Sequence, residues 1–301
     1  IPTCSASSTA ENCPTCWQPE SRVRRRLPAM PLPAELRALQ VDLPACPRTL
    51  LELLPLLDEG NERGGDIDAM ATIVEADMAL AAAVVRTVNS AMFGLLRRVD
   101  TVGDAMRYLG TSEVAALTYA TALRSAFAPT PQLDRLWEQS ASCGLLMGRS
   151  AAALGLDPLR AHTAGLFARS GQAVLLAKAG KQYGRMLSDA GDDAAALLAA
   201  EQHEFGVTHA VYGNALCASW GLANEVIRYV RERVAAPDTW LALPATLRKL
   251  LLLGHVAEAV VAGADPAERC QAMAPGSGWS AEQLQAALVP AWVKLSAARR
   301  A

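Results

Sequence analysis

EADMALAAAVVRTVNSAMFGLLRRVDTVGDAMRYLG, residues Glu75–Gly110, decides the fold of this chain. Asp77 is placed to start a helix, because a short carboxylate accepts backbone N–H bonds that the first turn leaves open. Leu80, Val84 and Val88 then recur every four residues, the spacing of one helical face. The alanines at 79, 81, 82 and 83 let neighbouring backbones approach closely. Asn89 and Ser90 bond readily to nearby backbone and so end one helix or cap the next. Gly94 permits a tight backbone beside a bulky Phe93 anchor. Thr101 with Asp104 has the form of a capping box, and Val102, Ala105, Met106 and Leu109 form the stripe that follows. Capped helices on both sides of a built turn make an all-α fold the expectation.

Composition agrees. The apolar 51% of the chain is mostly Ala, Leu and Val, while aromatics are only 5%, which favours helix over strand. Upstream, Leu50, Leu53, Leu54 and Leu57 lie at helical spacing before Gly60, and Asp66 can cap a helix carrying Ile67, Met70, Ile73 and Val74. Downstream, Thr111 starts a further helix, and Ala128-Pro129-Thr130-Pro131 interrupts the pattern, since proline disfavours helix at the preceding residue. Helices are expected around 132–154, 158–179, 192–205, 208–220 and 222–234. Pro237 and Pro244 bracket a second junction, with about three more helices over 245–301. The expected organisation is therefore a disordered tail or linker (1–30), an N-terminal helical lobe (31–130), a second lobe (131–236) and a C-terminal helical extension (237–301).

Several function classes are disfavoured. Net charge is −2 with a pI near 6.1, which offers no footprint for nucleic acid; the cluster Arg22-Val23-Arg24-Arg25-Arg26 reads as a solvated linker. The most apolar run, Leu250–Ala262, is shorter than the roughly 18 residues a membrane span needs and holds His255 and Glu258. No secretory leader is visible at the N-terminus, and the first residue, Ile1, leaves room for an upstream domain. Seven cysteines fit reduced thiols, hence a cytoplasmic protein. Cys13-Pro14-Thr15-Cys16 with Cys4 and Cys46 is a weak zinc signal and reads as a thiol-bearing tail. Gly60–Gly65 lacks the Lys-Ser/Thr ending of a phosphate loop, and no serine sits in a nucleophile-elbow setting.

Asp77, Leu80, Asn89-Ser90, Phe93-Gly94, Ala105 and Leu109-Gly110 together resemble the N-terminal half of the HDOD family, helical bacterial regulators related to the HD metal-dependent phosphohydrolases. Trp137, Ser140 and Ala141, the run Ala164–Gly171, then Glu201, Phe205-Gly206, His209, Gly213, Leu216 and Trp220-Gly221-Leu222 resemble its HD-related half. The resemblance places the metal-binding positions of HD hydrolases on Gln139, Ala168, Arg169, Arg233 and Val234. None is a good ligand for a divalent ion, and without a metal there is no activated water. The chain is accordingly expected to be no enzyme, to hold no cofactor or metal, and to act as a signalling module by protein–protein contact, with no nucleic-acid or membrane partner. The alternative is a nucleotide or cyclic-dinucleotide sensor, or a residual HD-type hydrolase, with Arg169 holding phosphate.

The residues singled out for family signature or interaction are Asp77, Asn89, Ser90, Phe93, Gly94, Arg97, Arg98, Arg169, Glu201, His209 and Trp220. Arg97-Arg98 reads as a solvated helix start that could also face an acidic partner. With Thr208 as cap, His209 shares a face with Gly213, Leu216 and Trp220 and reads as a structural histidine bonded to Glu201 or backbone. His162, His203 and His255 read as surface residues. The working surface is expected at the cleft between the lobes or around Asn89–Arg98.

Overall fold

A computed structural model describes residues 43–58, 67–90, 93, 95–275 and 277–300. The tail 1–30, its cysteines and arginines, Gly60, Asp66, Gly94 and the side chain of Leu57 lie outside the described residues. Among those described, fourteen α-helices run in the order α1 Arg48–Asp58, α2 Ile67–Glu75, α3 Met78–Val88, α4 Val102–Leu109, α5 Thr111–Ser125, α6 Pro131–Ala151, α7 Pro158–Phe167, α8 Ser170–Ala190, α9 Ala194–Phe205, α10 His209–Ser219, α11 Asn224–Glu232, α12 Ala245–Val261, α13 Pro266–Met273 and α14 Ala281–Arg300. No strand occurs among them, so the fold is all-α.

The helix starts follow local chemistry. Asp77 Oδ1 accepts the amides of Ala79 and Leu80 at 3.1 and 3.0 Å, and Thr101 Oγ1 accepts that of Asp104 at 3.0 Å. Thr130 Oγ1 caps α6 through Leu133 N at 3.2 Å, with Pro131 supplying the fixed φ that suits a first turn. In the first lobe α2 packs on α4 and α3 on α5, burying Val74, Leu80, Val84, Val88, Val102, Ala105 and Met106.

The second lobe is built on a very close crossing of α6 and α7. A Cβ at Gly144 would lie 2.9 Å from the His162 carbonyl oxygen, and one at Gly165 2.8 Å from Gly144 Cα. That crossing seals His162, only 3% exposed, into the interior. It is not a surface residue, because its helix turns that face onto a notch of glycines. Likewise Gly171 at the start of α8 abuts α10 so tightly that a Cβ would sit 1.8 Å from the His209 carbonyl oxygen.

The helix expected over 158–179 is instead two. It breaks at Ala168-Arg169, where Arg169 leaves helical geometry at φ −104° and ψ 10°, and α8 continues to Ala190 across a kink at Gly180, φ 41°. The break carries the chain around the lobe, which periodicity alone cannot reveal, since the apolar spacing continues through it.

The three C-terminal helices close on the second lobe, with α12 and α14 against α6 and α13 between them. Trp279 Nε1 donates to the Leu154 carbonyl at 3.1 Å, and Ser150 Oγ to that of Ala287 at 3.3 Å. The lobes are joined where Trp220 Nε1 donates to Pro44 O at 2.9 Å and where Arg149 meets Glu113 at 3.1 and 3.2 Å. Among the described residues no helix is long and apolar enough to cross a membrane; Leu250–Val261 belongs to α12.

Candidate functional site

Glu201 on α9 is 0% exposed, and a carboxylate removed from water must find donors. It finds three. Tyr183 OH of α8 donates at 2.5 Å, the backbone N–H of His209 at 2.8 Å, and His209 Nδ1 at 2.9 Å. Burial alone would raise the Glu201 carboxyl, but the bonds from His209 and Tyr183 outweigh it and hold the group below the usual carboxylate range. Thr208 stands at the N-cap of α10 without making a side-chain cap bond. Glu201 takes over that task, bonding the first amide of the helix from another helix.

A carboxylate only accepts, so His209 Nδ1 carries the hydrogen and Nε2 presents a lone pair. Arg233 faces that lone pair, its Nη1 3.3 Å from His209 Nε2. Arg233 stands at the C-terminal end of α11. The other edge of its guanidinium holds Glu258 of α12, with Nη2 at 2.7 and 2.9 Å and Nε at 3.0 Å. Side-chain exposure is 10% for Arg233 and 24% for Glu258. Burial, and then the nearby arginine charges, push the His209 imidazole below its ordinary value despite the bond to Glu201, which keeps it neutral. Glu258 is lowered: burial opposes its charge, but Arg233 and then Arg169 outweigh that.

Arg169, half-buried, makes no side-chain hydrogen bond among the described residues, yet its charge acts on Glu258, His209 and Tyr183. Two carboxylates thus meet two guanidiniums around a neutral imidazole. Cys143 of α6 lies beside the same group, its thiol pushed up to about 12 by burial and then by Glu258.

A divalent metal does not fit this donor set. Gln139 lies on the exposed face of α6, while the buried face carries Ser140 and Cys143. Ala168 and Val234 offer no donor atom, and Arg169 and Arg233 bring positive charge where a dication would need anions. Among the described residues no three His, Cys, Asp or Glu side chains come together as a metal-binding group.

The remaining predicted residues gather elsewhere. Asn89 Nδ2 donates to Val85 O at 2.9 Å and to Val99 O at 2.7 Å, while its Oδ1 accepts Val99 N at 3.0 Å. One amide therefore closes both ends of the 89–99 segment. Ser90 Oγ donates to Thr87 O at 2.6 Å. Phe93 is half-buried under the Arg149 guanidinium, 5.3 Å from its ring centroid, which ties the segment to the second lobe. Leu96 stands fully exposed, with Arg97 and Arg98 exposed beside it and in no ion pair among the described residues. Asp77 serves as a cap, and Trp220 is a buried joint packed edge-on to Phe167 at 5.7 Å.

Arg233 was foreseen only as an absent ligand, and Tyr183 and Glu258 were not foreseen at all. The signal for Glu258 was present: a lone carboxylate inside the apolar run 250–262 demands a partner. Between the entry segment and α8 lies a cavity of about 460 Å³ lined by Leu43, Pro44, Phe127, Val174 and Lys178.

Comparison with known proteins agrees with this architecture. A protein of Shewanella amazonensis provisionally named a phosphohydrolase superposes with a TM-score of 0.68 at 21% identity, over 88% of this chain and 98% of that one. A protein of Marinobacter aquaeolei provisionally named for signal transduction superposes with a TM-score of 0.63 at 23% identity, over 85% of this chain and 59% of that one. An uncharacterized protein of Treponema pallidum is 25% identical over 212 residues, 68% of this chain and 41% of its own length, so this chain spans about two fifths of that relative. The family model for the HDOD domain matches residues 43–235, which takes in both the Asn89–Val99 segment and the Glu201–His209–Arg233 group, and the chain belongs to the HDOD family.

Proposed function

We propose that this chain is a catalytically inactive HDOD signalling module that works in the cytoplasm by binding a protein partner through the Asn89–Val99 segment. The observation that carries the reading is the Arg233 guanidinium lodged between His209 Nε2 and Glu258. Hydrolysis of a phosphodiester by HD chemistry needs a metal-activated water, and the buried carboxylates here lie beside arginine charge. What is left for the fold to offer is surface. The Asn89 clamp holds a rigid base from which an exposed Leu96 and two uncompensated arginines project, an apolar anchor with a basic rim suited to an acidic partner face. The signal-transduction name of the Marinobacter relative accords with such a role.

The test is turnover of a generic phosphodiester and of cyclic dinucleotides with Mn²⁺ present, together with thermal unfolding in the presence of those nucleotides. No turnover and no stabilisation are expected. Stabilisation by a cyclic dinucleotide that disappears in Arg169→Ala would instead favour a nucleotide sensor.

A further inference from the structure

Histidines that bind metals usually donate their second ring nitrogen to a carboxylate, which fixes the tautomer and aims the lone pair at the cation. Glu201 and His209 reproduce that relay, with Nδ1 donating to the carboxylate at 2.9 Å and Nε2 aimed outward. The cation it meets is a guanidinium, at 3.3 Å. We propose that Arg233 is a built-in replacement for a metal ion, taking its charge and its bridging role, and that through Glu258 it locks the C-terminal helices α12–α14 onto the family core.

Three further observations converge on this. The guanidinium is bidentate on Glu258 with three contacts of 2.7 to 3.0 Å, a geometry in which a planar fork can span two anionic or lone-pair groups as a metal would. Glu258 lies outside the stretch 43–235 matched by the family model, so the pair crosses from that stretch to the helices beyond it. The same junction is supported by Trp240 Nε1 donating to Glu232 O at 3.1 Å, at the end of the helix from which Arg233 projects. The titratable and charged groups acting on the relay are Tyr183, Cys143, Tyr229, His255 and Arg169, the last of these on Tyr183, His209, Cys143, Tyr229 and Glu258 alike. This inference rests on the non-catalytic reading but is read by different measurements. Turnover bears on that reading alone, whereas folding and ring-nitrogen chemistry bear on the lock.

The experiment uses the full chain, with thermal unfolding of the parent, Arg233→Lys, Arg233→Met and the double variant Arg233→Met/Glu258→Leu, and ¹⁵N spectra of the histidine rings. Arg233→Met is expected to lower Tm by roughly 10 °C, since it leaves buried partners unpaired. Arg233→Lys should recover only part of the loss because it lacks the fork, and the double variant most of it. In the parent, His209 should be the Nδ1–H tautomer, and in Arg233→Met its pKa should rise. A Tm for Arg233→Met within about 2 °C of the parent, on the scale that a surface change produces, would overturn the proposal. So would an Nε2–H tautomer of His209 in the parent, a measurement that stands even if no Arg233 variant folds.

Discussion

The 89–99 segment and the Glu201–Glu258 group use similar polar chemistry to opposite ends. In the first, the Asn89 amide binds only backbone, at Val85 and Val99, and Leu96, Arg97 and Arg98 stand exposed between them. In the second, side chains bind one another in a chain from Tyr183 through Glu201, His209 and Arg233 to Glu258, with Arg169 beside them. Polar groups bonded to backbone shape a surface and leave it available. Polar groups bonded to each other make a closed interior that holds helices together and offers a ligand little. On the proposed reading, the two regions of one domain divide recognition from cohesion.

The sharpest way to break that contrast is Glu201→Ala. It strands the Tyr183 hydroxyl and two His209 donors in the interior, and a loss of about 3–5 kcal/mol, read as a fall in Tm of roughly 10 °C or more, is expected. A change under about 1 kcal/mol would mean that the group is not what holds the second lobe.

Acid should separate the regions next. All four histidines lie at or beyond position 162, so the first lobe has none. Burial, and then the Arg149 charge, bring His162 down to about 3, and His209 is lowered too. The unfolded chain takes up these protons as pH falls below about 6.5, while folded His162 does not, so stability drops from there by about 1.4 kcal/mol per pH unit for His162, and His209 adds a loss of the same sign. Glu201 and Glu258, both lowered, add their losses only at more acid pH, as each is protonated below the ordinary carboxylate value of about 4.5. Hydrogen exchange at pH 6.5 and 5 should show α6–α10 opening first; earlier opening of α2–α5 would contradict this.

Asn89→Ala removes a clamp of three hydrogen bonds and should cost about 1–3 kcal/mol, with exchange rising in the 89–99 segment while the second lobe is undisturbed. The smallest effect on stability is expected from Leu96→Ser, within about 0.5 kcal/mol. If the segment is the recognition surface, this variant should nonetheless weaken partner binding, measured by titration calorimetry once a partner is in hand.

Much of the fold was legible because it is set by neighbours in sequence. The caps at Asp77 and Thr101, the proline boundary before α6 and the face Leu80–Val84–Val88 all depend on residues within one or two turns. What escaped depends on helices crossing. Gly144, Gly148 and Gly165 bury His162 only because α6 and α7 meet there, and Gln139 faces solvent for the same reason. Thr208 stands at the N-cap but its side chain makes no cap bond, and the first amide of the helix, that of His209, is taken by a carboxylate from another helix. Of the candidate site, residue type alone shows that Gln139, Ala168 and Val234 are poor ligands. It could not show the ion pair, since Arg233 and Glu258 are 25 positions apart and only the packing of α11 and α12 brings them together.

The most direct test of the non-catalytic reading is equilibrium dialysis of the intact chain against Mn²⁺ and Zn²⁺, followed by metal analysis and a phosphodiester assay on the same samples. No stoichiometric metal and no turnover above buffer are expected. A full equivalent of tightly held ion, with hydrolysis that a chelator abolishes, would contradict it.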